Sequence, residues 1–171
     1  MELKQPRQKT EAEALAALAD RCAKAEVCIA DARRLLFRWA IAPQARERII
    51  EKLISDRFID EERYAQAFVR DKLSFSRWGN RKIAQTLADK HIPHDIISRA
   101  LEQVDPEQQQ EKLETDLRRK LKSIEEKKTY KKKEKLLRFG LSRGFTPDQL
   151  IPTINHLVEG EEEEWQSGSL L

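Results

Sequence analysis

The residues of this chain that could do chemistry are mainly cationic, and they lie in two clusters. From Arg63 to Lys90 there are 7 basic and 2 acidic residues, and from Lys112 to Arg138 there are 12 basic and 5 acidic residues. Five lysines of the second cluster lie within Lys127–Lys133, which we call the lysine run. Clustered cations attract phosphates or acidic protein surfaces over long distances. Lysine-rich segments are also common on solvated helix faces, so both interpretations stay open.

The two clusters supply the candidate residues for a basic face that binds a partner or DNA. These residues are Arg70, Lys72, Arg77, Arg81, Lys82, Lys128, Lys131, Lys132, Lys133, Lys135, Arg138 and Arg143. Trp78 and Tyr130 lie among them, and stacking of single-stranded bases on these rings is one reading. Trp78 directly precedes Gly79, and we expect it instead to pack as an anchor between the helices that it joins.

Sequence signals for other kinds of site are absent. The chain has only 5 glycines and contains none of the patterns G-x-x-x-x-G-K-[ST], G-x-G-x-x-G or G-x-S-x-G. His91 and His94 flank Pro93, which breaks the helix between them, so ordinary polar histidines are expected rather than a zinc pair. Cys22 and Cys28 have no third ligand nearby. We predict no catalytic residue, no bound metal and no cofactor, and hence not an enzyme.

Length and composition favour an all-α protein. The 171 residues suffice for one or two domains with a real core, since chains of this size bury about 70% of their unfolded surface. Charged residues make up 37%, mean hydropathy is -0.73, and there are few glycines and prolines. There is no apolar stretch of membrane-spanning length and no signal peptide, and the two cysteines suggest a reducing compartment. We therefore expect a cytoplasmic protein without a membrane segment.

Apolar residues recur at helical spacing in nine segments, and these fall into three groups of three. The predicted organisation is a disordered N-terminal segment (1–10), three three-helix repeats (11–58, 59–105 and 106–158) and an acidic, disordered tail (159–171). Each short helix is marginal alone, so the repeats are expected to stack into an elongated, curved array.

The three groups are related by a repeat of about fifty residues. Ile41, Ile92 and Phe145 each precede the last helix of a group, at separations of 51 and 53 residues. The same separations relate Ile50 to Leu101 and Ile154, and a repeat that holds at several positions is harder to obtain by chance. The predicted core residues are Ile50, Leu53, Tyr64, Phe68, Leu87, Leu101, Val104, Leu137, Ile154 and Leu157.

Three stretches of the sequence resemble the RecX family, bacterial regulators of the RecA recombinase. They are Arg57–Leu73, beginning RFIDEERYA, Ser76–Ile83, reading SRWGNRKI, and Leu137–Phe145, reading LRFGLSRGF. The resemblance covers residues 57 to 157. Where the family has glycine before the last helix of a repeat, this chain has Ala40 and His91. Side chains there weaken a left-handed helix end, so the geometry of these two corners stays open.

The resemblance implies a modular protein that lies in the deep groove of the RecA–DNA filament. It would obstruct filament growth or subunit contacts and so lower recombinase, ATPase and coprotease activity in recombination, DNA repair and the SOS response. The implied partners are the RecA filament and, weakly and electrostatically, single- or double-stranded DNA, and we expect a monomer. Two alternatives stay open: a direct DNA-binding protein with helix-turn-helix-like corners, and a non-catalytic scaffold for another protein.

Overall fold

A computed structural model describes residues 9–168, with side chains for residues 9–160, and in this range it confirms the all-α prediction. The described part contains nine α-helices and no strand. In chain order they are α1 (Glu11–Lys24), α2 (Ile29–Arg38), α3 (Pro43–Ser55), α4 (Glu61–Asp71), α5 (Asn80–Asp89), α6 (His94–Glu102), α7 (Pro106–Lys122), α8 (Thr129–Arg143) and α9 (Pro147–Gly168). A π-helical segment, Lys72–Ser76, extends α4. No helix within these bounds has the length and apolarity needed to cross a bilayer.

Several helices begin at residues whose chemistry favours a first turn. Thr10 and Glu13 form a capping box before α1, in which each side chain accepts a hydrogen bond from the backbone N–H of the other. The first residues of α3, α7 and α9 are Pro43, Pro106 and Pro147. Proline suits that position because the N–H group it lacks would have no partner inside the helix.

The described residues divide into two compact units. The first unit holds the residues up to Phe68 together with Leu87–Ala100, and the second holds Val69–Thr86 together with the residues from Leu101 onward. Helices α1–α3 therefore lie in the first unit and α7–α9 in the second, whereas the residues of α4–α6 are shared between the two. The sequence predicts three equal groups, whereas the structure has two compact units. Apolar periodicity identifies the face of each helix that is buried, but it does not identify the helix against which that face packs.

Each unit is built around its own apolar core. In the first, α1, α2 and α3 contribute buried residues such as Leu18, Leu36 and Ile49. In the second, α7, α8 and α9 contribute Leu117, Leu136 and Leu150, which are fully buried. Each of these side chains stabilises the fold by about 1.5–3 kcal/mol relative to leaving it exposed.

A glycine allows α8 and α9 to approach closely in the second unit. A Cβ atom at Gly140 would lie 2.1 Å from Cδ2 of Leu150. Since Leu150 is fully buried, its side chain has little room to move aside. Glycine at this position is therefore required by packing.

A left-handed corner precedes each of α3, α6 and α9. The backbone φ angle is 56° at Ala40, 61° at His91 and 89° at Gly144. Only Gly144 is the residue type that adopts this conformation without steric cost. Ala40 and His91 therefore adopt the left-handed conformation even though their side chains disfavour it.

The corners are held by a repeated hydrogen bond and a repeated apolar plug. The residue after each corner, Ile41, Ile92 or Phe145, donates its N–H to the carbonyl five residues earlier, at 3.1, 3.1 and 3.2 Å. Each of these three side chains is only 4% exposed. This Schellman-type closure with its buried residue offsets the strain at Ala40 and His91.

Of the ten residues predicted to form the core, six are buried in the structure. Ile50, Leu53, Tyr64, Leu87, Ile154 and Leu157 are buried, but Phe68, Leu101, Val104 and Leu137 are only half-buried. Leu101 and Val104 lie where α6 ends, and on α8 the inward position belongs to the neighbouring Leu136. Repeat-related residues such as Ile50, Leu101 and Ile154 therefore do not have equal burial.

The predicted acidic tail (159–171) begins within α9, which continues to Gly168. Glutamate is a good helix former, and between residues 159 and 164 the one poor helix former is Gly160. Residues 169–171 of the predicted tail, and residues 1–8 of the predicted N-terminal segment, lie outside the described residues.

The left-handed alanine gives a first testable prediction: Ala40→Gly should raise the free energy of unfolding by about 0.5–1 kcal/mol. An L-residue in this conformation carries a strain of about 1–2 kcal/mol, which glycine removes. Glycine also raises the conformational entropy of the unfolded chain, which lowers the stability by about 0.4–1 kcal/mol. Urea denaturation measures the change. The matched control is Ala16→Gly at an exposed position inside α1, which should lower stability by about 1 kcal/mol. If Ala40→Gly lowered the free energy of unfolding by as much as Ala16→Gly does, Ala40 would not be strained.

Candidate functional site

All twelve predicted cations lie in the second unit. Five fall between Val69 and Thr86, and the other seven follow Leu101. Of the first five, Arg70 precedes and the other four lie within residues 72–82, which we call the corner segment; it runs from the end of α4 through the π-helical turn into the start of α5. The other seven lie on α8 or just before it. The structure thus assigns the candidate basic face to one compact unit, although the clusters are about fifty residues apart in sequence.

Backbone hydrogen bonds and charges join the corner segment to the end of α8. The N–H of Gly79 donates to the carbonyl of Arg143 at 2.8 Å, and Nζ of Lys82 donates to the carbonyl of Ser142 at 3.1 Å. In return, the guanidinium of Arg143 donates to the carbonyl of Ser76 at 2.7 Å. We call this set of three bonds the clasp. It supplies partners for carbonyls at the C-terminus of α8, where positive charge is favourable.

The clasp depends on two glycines whose backbones meet. A Cβ atom at Gly79 would lie 2.4 Å from the carbonyl oxygen of Gly144, and a Cβ atom at Gly144 would lie 2.2 Å from Cβ of Lys82. Real Cβ atoms do not approach backbone so closely. Both positions therefore need glycine if the corner segment is to reach α8.

A buried carboxylate fixes Arg77. Asp116 on α7 accepts a hydrogen bond from Nη1 of Arg77, and it accepts a second from Arg119 at 2.9 Å. The Asp116 side chain is only 5% exposed, so its charge needs these cations as partners. Arg77 itself is left-handed, with a φ angle of 52°. Its guanidinium pairs with Asp116 while remaining partly exposed, and its place in a basic face that contacts a partner stays a prediction.

Lys82 and Arg143 also act mainly inside the protein, because both take part in the clasp. Lys82 lies 4.5 Å from the ring centroid of Trp78, and Lys72 lies 5.0 Å from it. Trp78 is half-buried between these two ammonium groups. This arrangement fits a packing anchor rather than a ring open for base stacking.

Exposed aromatic side chains lie elsewhere on the basic unit. Tyr130, inside the lysine run, is 62% exposed, and Phe75, on the π-helical segment, is 86% exposed. Sequence reasoning missed Phe75, since its spacing alone does not separate a core residue from an exposed one. The available signal was its place between Lys72 and Arg77, in a segment with few other apolar residues.

The carboxylate of Glu126, directly before the lysine run, partly neutralises its charge. Glu126 accepts hydrogen bonds from the N–H groups of Lys127 and Lys128 at 3.1 and 3.3 Å, and its carboxylate lies 3.7 Å from Nζ of Lys135. The backbone N–H of Lys128, followed by the charges of Lys131 and Lys135, lowers the pKa of Glu126. A carboxylate therefore occupies the start of α8, where an external anion would otherwise be attracted.

The remaining cations differ in exposure. Arg70, Arg81 and Lys128 are exposed, while Lys131, Lys132 and Lys133 are half-buried because three consecutive residues point around the helix rather than along one face. Lys135 and Arg138 are exposed and pair with Glu126 and Glu134. Exposed ion pairs contribute about 0–1 kcal/mol, so such cations can exchange partners at little cost.

A second polar network, not found from the sequence, lies in the first unit. Asp31 accepts hydrogen bonds from Lys90 at 2.7 and 2.9 Å and also pairs with Arg34. Burial alone would raise the pKa of the Asp31 carboxyl, but the hydrogen bonds and charge of Lys90, with help from Cys28 and Arg34, hold it below its ordinary 3.8. Burial raises the pKa of Tyr64, whose ring lies 5.9 Å from Nζ of Lys90. The network joins α2 to Tyr64 of α4 and to Lys90, which directly follows α5.

The histidines and cysteines form no metal-binding group in the described part of the chain. Cys28 is buried and Cys22 half-buried. In both cases burial is the main cause that raises the pKa of the thiol. These thiols stay protonated at neutral pH and are poor nucleophiles.

Comparison with known proteins gives a consistent result. A family model described as RecX, second three-helix domain, matches residues 60–101. Regulatory protein RecX of Clostridium botulinum (strain Alaska E43 / Type E3) is 34% identical over 120 residues, which cover 69% of this chain and 56% of that protein. Regulatory protein RecX of Oceanobacillus iheyensis is 28% identical over 120 residues, or 69% of this chain and 44% of that protein. The chain thus matches about half the length of these curated relatives.

Solved structures show the same fold. The crystal structure of RecX from Lactobacillus salivarius superposes with a TM-score of 0.72 at 23% identity, covering 86% of this chain and 96% of that one. A second crystal structure, of a regulatory protein RecX, has a TM-score of 0.74 at 23% identity and covers 81% and 70% of the two chains. At this identity the likeness is evidence for the fold.

The buried carboxylate gives the second prediction: Asp116→Ala should lower the free energy of unfolding by about 2–3 kcal/mol. Removing one partner leaves Arg77 with an uncompensated charge in a half-buried site. The matched control is Glu114→Ala on the same helix, which removes an exposed pair with Arg118 and should cost less than about 1 kcal/mol. If urea denaturation gave the same loss of unfolding free energy for both variants, the Asp116 ion pair would contribute no more than an exposed one.

The third prediction concerns acid stability. Because the pKa of Asp31 is lower when folded than its ordinary 3.8, its contribution is present above that value and is lost as the pH falls through the folded pKa. The difference in Tm between the wild type and Asp31→Asn should therefore be largest near neutral pH and should shrink below about pH 4. Thermal melts from pH 7 to pH 3 measure it, with the exposed Asp20→Asn as control. A Tm difference that does not change with pH would contradict the assignment.

Proposed function

The chain belongs to the RecX family of regulatory proteins, and we propose that it binds in the groove of a RecA–DNA filament and obstructs filament growth or subunit contacts. By this binding it lowers recombinase, ATPase and coprotease activity, and so acts in recombination, DNA repair and the SOS response. It acts by occupying a surface, with no chemical step and no cofactor of its own.

The observation that carries this proposal is the placement of the cations. The local excess of basic residues is large in two segments of a chain whose formal net charge is only +3, and the twelve candidates share one compact unit. A filament that contains DNA presents closely spaced phosphates, which such a unit attracts over a Debye length of about 8–10 Å. The second unit is therefore the part of the chain that we expect to meet the filament.

The cations divide into two roles. Arg77, Lys82 and Arg143 hold the corner segment against α7 and α8, so they position the basic unit. Arg70, just before that segment, and Arg81, near its end, are exposed, and exposed lysines and arginines of α8 have only exchangeable partners. We assign contact with the filament to this exposed set, whose representatives are Arg70, Arg81 and Lys128.

Two other functions fit a basic helical protein less well. A direct DNA-binding protein would use the corners between helix pairs, but the corner at Gly144 is closed by Phe145 and the clasp. An unrelated protein partner would not by itself account for the cation excess. Naked duplex DNA separates these cases, since a direct binder should lose affinity with a slope of about 0.9 in log salt per phosphate contact.

The fourth prediction tests the assigned surface through inhibition of RecA. Stoichiometric wild-type chain should inhibit the single-strand-dependent ATP hydrolysis of RecA. The triple variant Arg70→Glu, Arg81→Glu, Lys128→Glu should need about tenfold more protein for half-maximal inhibition, because reversed charges repel the filament. The matched control reverses three exposed cations of the first unit, Arg21, Lys24 and Lys52, and should stay within about twofold of the wild type.

Three results would contradict the proposal. If the wild-type chain leaves both ATP hydrolysis and strand exchange unchanged at stoichiometric amounts, the filament is not its target. If the two triple variants lose inhibition equally, the second unit is not the contact surface. If affinity for naked duplex equals affinity for RecA-coated single strands, direct DNA binding is the better description.

A further inference from the structure

Phe75 is the most exposed large apolar side chain in the described part of the chain. Its ring is 86% accessible, compared with 67% for Phe37 and 62% for Tyr130. A phenylalanine on a protein surface is usually at least partly covered, because its burial is worth about 1.5–3 kcal/mol. Its exposure on a basic unit therefore calls for a partner that covers the ring.

The segment that carries Phe75 is held in place on both sides of the ring. The N–H of Trp78 donates to the carbonyl of Lys72 at 3.0 Å, which closes the π-helical turn. The carbonyl of Ser76 accepts from Arg143 at 2.7 Å, and Arg77 is bound to the buried Asp116. The ring is thus presented by a fixed backbone rather than by a loose loop. Little conformational entropy would be lost when a partner covers it.

The charges around Phe75 indicate what kind of partner it meets. Between residues 69 and 86 there are five basic residues and one acidic residue, and Arg70 and Arg81 are exposed. Lys72 and Lys82 already flank the other aromatic ring of the segment, Trp78. Phe75 thus lies between two exposed arginines in the sequence, and a polymer that offers flat apolar faces and regularly spaced anions matches this combination.

We propose that Phe75 stacks on an unpaired base of single-stranded nucleic acid while Arg70 and Arg81 contact the adjacent phosphates. Every base has a flat face, so the contact is independent of sequence. In a duplex these faces are covered by neighbouring base pairs, and the proposal is therefore specific to single strands. A pocket on a partner protein could also accept a phenylalanine, but it would need an acidic rim to match the arginines. The inference concerns a bare strand, so it stands independently of the proposed action on RecA.

The test measures binding of the full-length chain to a fluorescein-labelled oligothymidylate by anisotropy at several salt concentrations. Phe75→Ala should weaken binding about tenfold or more, because stacking on an aromatic ring is worth about 1–3 kcal/mol per base. Phe75→Leu should lose nearly as much, since leucine keeps the apolar volume but has no flat ring, and Phe75→Tyr should bind like the wild type. The slope of log affinity on log salt should not change in any of these variants.

Arginine variants give the complementary result. Arg81→Ala should reduce the salt slope by about 0.7, the value for one phosphate contact on a single strand. The matched aromatic control is Phe37→Ala in the first unit, an exposed phenylalanine with Cζ of Arg46 5.0 Å from its ring centroid. That variant should bind the oligonucleotide like the wild type. Far-UV circular dichroism checks that every variant is folded, which we expect because Phe75 supports no core.

Several outcomes would overturn the inference. Wild-type affinity in Phe75→Ala, wild-type affinity in Phe75→Leu, or no binding of the oligonucleotide by the wild type would each exclude stacking. A loss seen with RecA-coated strands but not with the bare oligonucleotide would assign Phe75 to a protein pocket instead. Inhibition of RecA by the wild type is measured separately, so the proposed function can fail while stacking stands, and stacking can fail while the proposed function stands.

Discussion

The contact on which the basic unit depends is the close approach of two backbones at Gly79 and Gly144. No side chain fits between them, and the N–H of Gly79 can therefore reach the carbonyl of Arg143. This contact joins the start of α5 to the end of α8 and places Lys82 over carbonyls that would otherwise lack partners. The glycine contact therefore fixes the position of the corner segment, which carries the exposed ring of Phe75 and the half-buried ring of Trp78.

The same contact explains why positive charge has two uses in this protein. A cation beside a helix C-terminus or a buried carboxylate stabilises the fold, and Arg77 and Arg143 act in this way. A cation exposed to water contributes little to stability and remains available to an external anion, as at Arg70 and Arg81. The function that we propose needs both kinds, because the exposed charges are useful only when they are held in a fixed arrangement.

The left-handed corners show how far a repeat can tolerate substitution. Glycine satisfies the backbone at the third corner without strain, whereas Ala40 and His91 adopt the same conformation with a side chain present. They do so because the next residue, Ile41 or Ile92, is buried and its N–H is bonded to the preceding helix. The strain of one residue is thus compensated by the burial of its neighbour. Local preference alone would have placed these two corners in another conformation.

The sequence by itself determined the helices, the corner positions and the family, because apolar periodicity, proline and glycine act over a few residues. It also located the two basic clusters. Only the tertiary structure decided which helices share a core, that Leu101 is half-buried while Ile50 is buried, and that Arg77 pairs with a buried carboxylate while Phe75 is exposed. These properties depend on contacts between residues far apart in the chain, such as Arg77 with Asp116 and Gly79 with Gly144, and no local pattern encodes such a contact.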